Sequence, residues 1–226
     1  MKKVLMVTTS HSKMGDLNEK TGLWLSELTH PYYSILDENI IIDIVSITGG
    51  EIPIDPNSVA EKDLLNDRFL ADDNLKNIMK NSTSLRDVNI KEYDAIVFAG
   101  GHGTMWDFPN DSNVQNKILD VYSRNGVIGA ICHGVAALIN VKDNDGQNII
   151  RDKEVTGFSN NEEKIVGLTD VMPFSLEDSL VKAGAKYSSA LEWQSCVKTD
   201  SKIITAQNPQ SATDFGKQIK HTLINN

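Results

Sequence analysis

The stretch Gly126-Val127-Ile128-Gly129-Ala130-Ile131-Cys132-His133-Gly134, continued by Val135-Ala136-Ala137-Leu138-Ile139, decides the reading of this chain. A short run of β-branched and small apolar residues predicts a strand buried on both faces. A cysteine, a glycine and a helix-like apolar stretch follow directly. That order describes a nucleophile elbow, a sharp strand-to-helix turn that presents a thiol beyond the edge of a sheet. At the first turn of a helix, free backbone N–H groups and the helix dipole would favour the thiolate.

Working outward, the same kind of run recurs at Lys3–Val7, Ile40–Ser46, Asp94–Ala99 and Lys202–Ala206. Helical patterns lie between these runs. Thr21–Glu38 places Leu23, Trp24, Leu28, Tyr32, Ile35 and Leu36 near helical spacing, with Pro31 predicting a kink or a break. Asp111–Arg124 and Ser211–Leu223 are two further amphipathic helices. Alternating strands and helices predict an α/β fold, a doubly wound and mostly parallel sheet sandwiched by helices, with ligands beyond the carboxyl ends of its strands. Two of those ends carry chemistry: Gly100-Gly101-His102-Gly103 and Cys132-His133. Residues 1–226 are expected to form one domain, with the polar segment 58–90 as an insertion or lid.

The composition is that of an ordinary globular protein, 40% hydrophobic and 23% charged. A formal net charge of −9 argues against nucleic acid and anionic membranes as partners, since both demand a basic face. No apolar run reaches the length of a membrane span. The N-terminal run stops at Thr8-Thr9-Ser10, too soon for a signal peptide, and is read as a strand. Two cysteines, Cys132 and Cys196, do not make a disulfide scaffold, and a reducing cytoplasm is expected.

A cysteine nucleophile needs a base and an orienting group. His133 is adjacent to it. His102, in the glycine-rich loop, is either a solvated turn residue or a second group facing the same pocket. Missing side chains at Gly100, Gly101 and Gly103 would let backbone N–H groups approach a ligand oxygen. Glu27 lies among apolar positions and is either a solvated helix glutamate or a buried one, whose raised pKa would make it a proton donor. By pattern alone, Glu162 and Glu163 read as surface charges and Cys196 as structural. The scattered histidines offer no metal-ligand spacing, so neither a metal nor another cofactor is expected.

Taken in order, these motifs resemble the DJ/PfpI superfamily, the class I amidotransferase-like group, and within it the heat-shock-type, glutathione-independent glyoxalase III branch. The matching segments are Thr21-Gly22 through Glu27, His30-Pro31, Asp43–Ser46 with Thr48-Gly49-Gly50, and Gly101-His102-Gly103-Thr104 with Asp107-Phe108-Pro109. Ala130–Gly134, Val155–Phe158 followed by Glu163, and Asn208–Ala212 complete the set. The resemblance implies a flavodoxin-like homodimer in which Cys132, His133 and Glu163 form a triad and Glu27 faces the thiol. Gly101 and the His133 backbone N–H would form the oxyanion site, with His102 and Gly103 beside the substrate.

The implied reaction converts a small 2-oxoaldehyde, methylglyoxal, to lactate, with protein deglycation as a related possibility for the same thiol. In that scheme His133 carries a proton from the first carbon to the second. The competing readings are a stress chaperone or redox sensor and a cysteine peptidase. A glutamine amidotransferase would need a downstream His-x-Glu pair. The only histidine after His133 is His221, followed by Thr222 and Leu223.

Overall fold

A computed structural model describes residues 1–225. In chain order its elements begin with β1 (Lys2–Thr8), α1 (Ser26–Ile35), β2 (Ile40–Ser46), α2 (Leu64–Ala71), α3 (Asp73–Lys80) and β3 (Thr83–Ser84). There follow β4 (Ala95–Phe98), α4 (Thr104–Asp107), α5 (Ser112–Ser123), β5 (Val127–Ile131), β6 (Glu154–Val155) and α6 (Asn160–Ile165). The chain ends with α7 (Leu176–Lys182), β7 (Lys186–Tyr187), β8 (Val197–Asp200), β9 (Ile203–Ala206) and α8 (Ala212–Ile224).

Seven strands form one sheet in the order β3-β2-β1-β4-β5-β9-β8. Every pairing is parallel except the antiparallel edge β8–β9. The five strands expected from the sequence are all present, and the fold is the doubly wound α/β sandwich. The residues of β4, β5 and β9 are all buried, as continuous apolar runs in a parallel sheet require. The short β3, the edge strand β8 and the separate pair β6–β7 carry too little apolar pattern to be read from sequence.

Strand order reverses between β1 and β4, the switch point at which the loops after neighbouring strands diverge and leave a crevice. Register sets what meets there. Phe98 pairs with Ala130, and Ile131 with Ala206, so the chains leaving β4, β5 and β9 emerge side by side.

Two glycines explain how closely the layers approach. A Cβ on Gly129 would lie 2.9 Å from Ile219 Cδ1, so the glycine seats α8 on the sheet. One on Gly216 would lie 2.7 Å from Pro31 Cα, where α8 crosses α1. Pro31 neither ends nor splits the helix, which runs on to Ile35; the helix is, however, shorter than Thr21–Glu38. Asp111 caps α5, its carboxylate accepting from the N–H groups of Asn113 and Val114. Segment 58–90 contributes α2, α3 and the edge strand β3, with Phe69, Leu75 and Met79 packed into the core. Among the described residues, no helix is long and apolar enough to cross a membrane.

Candidate active site

Cys132 leaves β5 with φ = +55°, a left-handed conformation that is costly for a residue with a side chain. Such strain at a strand end is the geometry of the elbow. The segment that follows, Cys132–Leu138, forms 3₁₀ turns with every residue buried, not the α-helix that was expected. The expected thiolate is also not favoured at rest. Burial pushes the Cys132 thiol up, and negative charge at Glu27 would push it further; the His133 backbone N–H opposes both only in part.

Cys132 Sγ lies 3.3 Å from His133 Nδ1, and His133 Nε2 lies 2.6 Å from Glu163 Oε2. Glu163 occupies the first turn of α6 and is buried, as is Glu162, so the reading of both as surface charges is wrong. The two glutamates differ in what burial does for them. Glu162 closes a capping box with Ser159 and accepts from Trp193 N, Gln207 Nε2 and Asn208 Nδ2, at 3.1, 3.0 and 2.8 Å. It thereby ties the start of α6 to the loops on either side of β8 and β9. Glu163, one residue on, is held over the elbow.

His102 Nε2 lies 2.9 Å from the other oxygen, Glu163 Oε1. One carboxylate therefore accepts from two imidazoles. Burial would raise the Glu163 carboxyl, but the facing His133 and the hydrogen bonds from both rings outweigh it and hold the group well below the usual carboxylate range. His133 moves the other way. Its burial, and then the neighbouring His102, lower it, so the ring is neutral at neutral pH. The two rings lie with centroids 4.1 Å apart and planes tilted by 39°, and His133 lies 4.4 Å from Phe158 on centroids.

Across the thiol, Glu27 is completely enclosed in the first turn of α1, and neither carboxyl oxygen has a hydrogen-bond partner among the described residues. Gly100 makes room for it: a Cβ there would sit 2.3 Å from Glu27 Oε2 and 3.0 Å from Cys132 Cβ. Burial pushes this carboxyl up to about 8, partly offset by the neighbouring Cys132 thiol. Glu27 is thus protonated at neutral pH and meets the sulfur as a neutral neighbour.

A small chamber of about 50 Å³ is lined among others by Trp24, Gly101, His102, Cys132, His133 and Phe158. Trp24, Trp193 and Pro209 also border a basin of about 440 Å³ outside it. Gly101 has φ = +105°, and a Cβ there would lie 2.2 Å from the Gly22 carbonyl. The space freed at Gly101 is filled by residues 22–24 of the chain. At Gly103 it is filled by the His11 carbonyl and Thr9.

The structure brings Cys132, His133, Glu163, Glu27, Gly101 and His102 together, with Gly103 just behind. Cys196 is half-buried and stands apart, its backbone N–H donating to Ser211 Oγ. Among the described residues, His102, His133 and Glu163 are the one set whose ligand atoms converge as a metal ion would need, all within 4.8 Å. Both Nε2 atoms are already spent on Glu163, so the set is satisfied without an ion. Missed from the sequence were the aromatic walls Trp24, Phe158 and Trp193 and the anchoring role of Glu162. The pattern Ser159-x-x-Glu162 is a capping-box signature that identifies the start of α6 and with it the position of Glu163.

Comparison with known proteins places the chain among relatives that align along most of its length. Glyoxalase 3 of Candida albicans is 31% identical over 97% of each chain. Glutathione-independent glyoxalase HSP31 of Saccharomyces cerevisiae is 32% identical over 93% of each. Among solved structures, the Rapid Encystment Protein 24 KDa of Francisella tularensis superposes with a TM-score of 0.98 at 85% identity, covering 99% of both chains. Candida albicans glyoxalase III superposes at 0.90 with 30% identity, covering 98% of this chain and 97% of that one. The DJ-1/PfpI family model matches residues 20–222, which is most of the chain. With that match spanning the elbow, the His-Glu pair and Glu27 alike, the chain belongs to the DJ-1/PfpI family.

Proposed function

We propose that this protein is a glutathione-independent glyoxalase that converts methylglyoxal, or a 2-oxoaldehyde of similar size, to the 2-hydroxy acid. The observation that carries the reading is the hydrogen-bonded line Cys132–His133–Glu163 opening into a chamber of about 50 Å³. A volume of that size holds on the order of three or four waters. That suits the five heavy atoms of a three-carbon oxoaldehyde and not a peptide backbone, which disfavours a peptidase. Two relatives that align along most of their length carry glyoxalase names.

At rest the thiol donates to the neutral Nδ1 of His133. On attack, sulfur bonds to the aldehyde carbon as His133 takes the thiol proton, and the resulting imidazolium is stabilised by ionised Glu163. The Gly101 and His133 backbone N–H groups are the proposed donors to the developing oxyanion. Neutral Glu27 leaves the transient thiolate unopposed and offers it a proton to share. No external oxidant or reductant is needed, because the aldehyde carbon is oxidised as the ketone carbon is reduced. The homodimer belongs to the same reading and is checked by sedimentation.

The test is lactate formation from methylglyoxal without glutathione. Cys132→Ser is expected to lower kcat by about 10³-fold or more with the fold intact. No lactate from folded wild type, or undiminished lactate from the variant, would overturn the assignment.

A further inference from the structure

We infer that His102 is a second catalytic base, the group that moves the proton between the two substrate carbons, while His133 serves the sulfur. This rests on the glyoxalase reading above. Glu163 is ionised and accepts at both oxygens, from His133 Nε2 at 2.6 Å and from His102 Nε2 at 2.9 Å. Each of those nitrogens must therefore carry its hydrogen. In a neutral imidazole the opposite nitrogen is then an unprotonated acceptor. One carboxylate thus fixes the tautomer of two rings and turns two Nδ1 atoms into bases.

The two bases have different neighbours. His133 Nδ1 faces Cys132 Sγ at 3.3 Å, and its ring is clamped between His102 and Phe158. It is placed to take the thiol proton. His102 Nδ1 makes no hydrogen bond to any described residue, and its ring lines the chamber. A base left unpaired at the wall of a reaction chamber is available to substrate.

The chemistry has a place for it. Sulfur addition to C1 forms the S–C1 bond, and the carbonyl oxygen collects the proton that His133 received. His102 Nδ1 then takes the C1 hydrogen as a proton. The electron pair of that C–H bond becomes the C1=C2 bond of an enediolate, with the charge on the C2 oxygen. Returning the same proton from His102 to C2, with loss of the C1 hydroxyl proton to His133 and its delivery from there to the C2 oxygen, gives a thioester of the 2-hydroxy acid and restores both neutral imidazoles. Water then cleaves the S–C1 bond, releasing the acid and the thiol. C1 is oxidised by two electrons and C2 reduced by two.

His102→Gln separates this role from a merely supporting one, because the glutamine amide can still donate to Glu163 but carries no base. Three quantities are measured: kcat and KM for methylglyoxal, the rate of Cys132 alkylation by iodoacetamide, and the kinetic isotope effect with aldehyde-deuterated methylglyoxal. The expected result is a fall in kcat of about 10²- to 10⁴-fold. KM and the alkylation rate should stay near wild type, with a larger isotope effect as carbon-proton transfer becomes limiting. An unchanged kcat overturns the inference, as does a fall in alkylation matching the fall in kcat, which would mean that His102 acts only through Glu163 and His133. His102→Asn gives the same readings should the glutamine variant not fold, and failure of both to fold assigns His102 to stability instead. If wild type makes no lactate, the proposed function fails first; if wild type and both variants turn over alike, only the role of His102 fails.

Discussion

Two buried glutamates serve the same cysteine, Glu163 through His133 and Glu27 directly beside the thiol, and their protons are in opposite places. Glu163 accepts hydrogen bonds from two imidazoles and is held ionised. Glu27 has no hydrogen-bond partner for either oxygen among the described residues and keeps its proton up to about pH 8. Burial acts in the same direction on both. The donors decide the outcome, since a carboxylate with two N–H groups directed at it recovers what it loses by leaving water, and one packed against Gly100 and a thiol does not. A single residue type thus supplies an anion that holds two bases and an acid that stays neutral beside the nucleophile.

The comparison breaks most severely at Glu163. Glu163→Gln replaces an acceptor of two hydrogen bonds with an amide that offers one carbonyl oxygen and an NH₂ group. One imidazole must then turn over or lose its partner, and the imidazolium formed on attack loses its counter-charge. The expected loss in kcat is about 10²- to 10⁴-fold, of the order seen when a triad carboxylate becomes an amide. Unlike the loss expected at His102, it should be accompanied by slower alkylation of Cys132. Stopped-flow alkylation beside lactate assay checks it.

Glu27 gives the second largest effect, and on stability it has the opposite sign. Its folded value of about 8 lies above its ordinary 4.5. The folded state therefore binds this proton more tightly than the unfolded chain does. The stability this contributes is fully present below pH 4.5 and is lost as the pH rises through 8. By pH 7 the loss is about 3 kcal/mol. Glu27→Gln removes the titration, so the variant should be more stable than wild type by about that amount at pH 7 and by little at pH 5. Its turnover should nevertheless fall. Urea denaturation at the two pH values, beside the lactate assay, decides both points; equal stability of variant and wild type at pH 7 would mean that Glu27 is ionised.

How much of this was legible in the sequence divides along local and non-local lines. The five principal strands were readable because a strand buried on both faces needs an unbroken apolar run, which is a local property. Cys132 and His133 were readable because they are neighbours in the chain. Glu27 was half-readable: its place within an apolar stripe suggested burial, but not the sulfur opposite. Glu163 was unreadable from pattern, because what buries it is the docking of α6 over the ends of β4 and β5, 61 residues from His102 and 30 from His133. The resemblance to a family supplied it instead. The aromatic walls escaped for the same reason, Trp24 and Trp193 coming from loops at opposite ends of the chain.

Trp193 offers the smallest effect and the cleanest control, because it touches neither proton arrangement. It borders both the 50 Å³ chamber and the 440 Å³ basin, and its backbone N–H is fixed by Glu162 with φ = +61°. Only the side chain changes in Trp193→Ala, so the chamber opens toward the basin while the Glu162 bond is kept. A bulky aldehyde such as phenylglyoxal should then gain on methylglyoxal by about 10-fold in relative kcat/KM, the scale on which apolar pockets discriminate by size. Alkylation of Cys132 and the pH dependence of stability should not move. If the preference is unchanged, the chamber wall does not select substrate size. If the alkylation rate moves as well, the walls and the two carboxylates are coupled, and their opposite states depend on the packing around the chamber as well as on the donors each one meets.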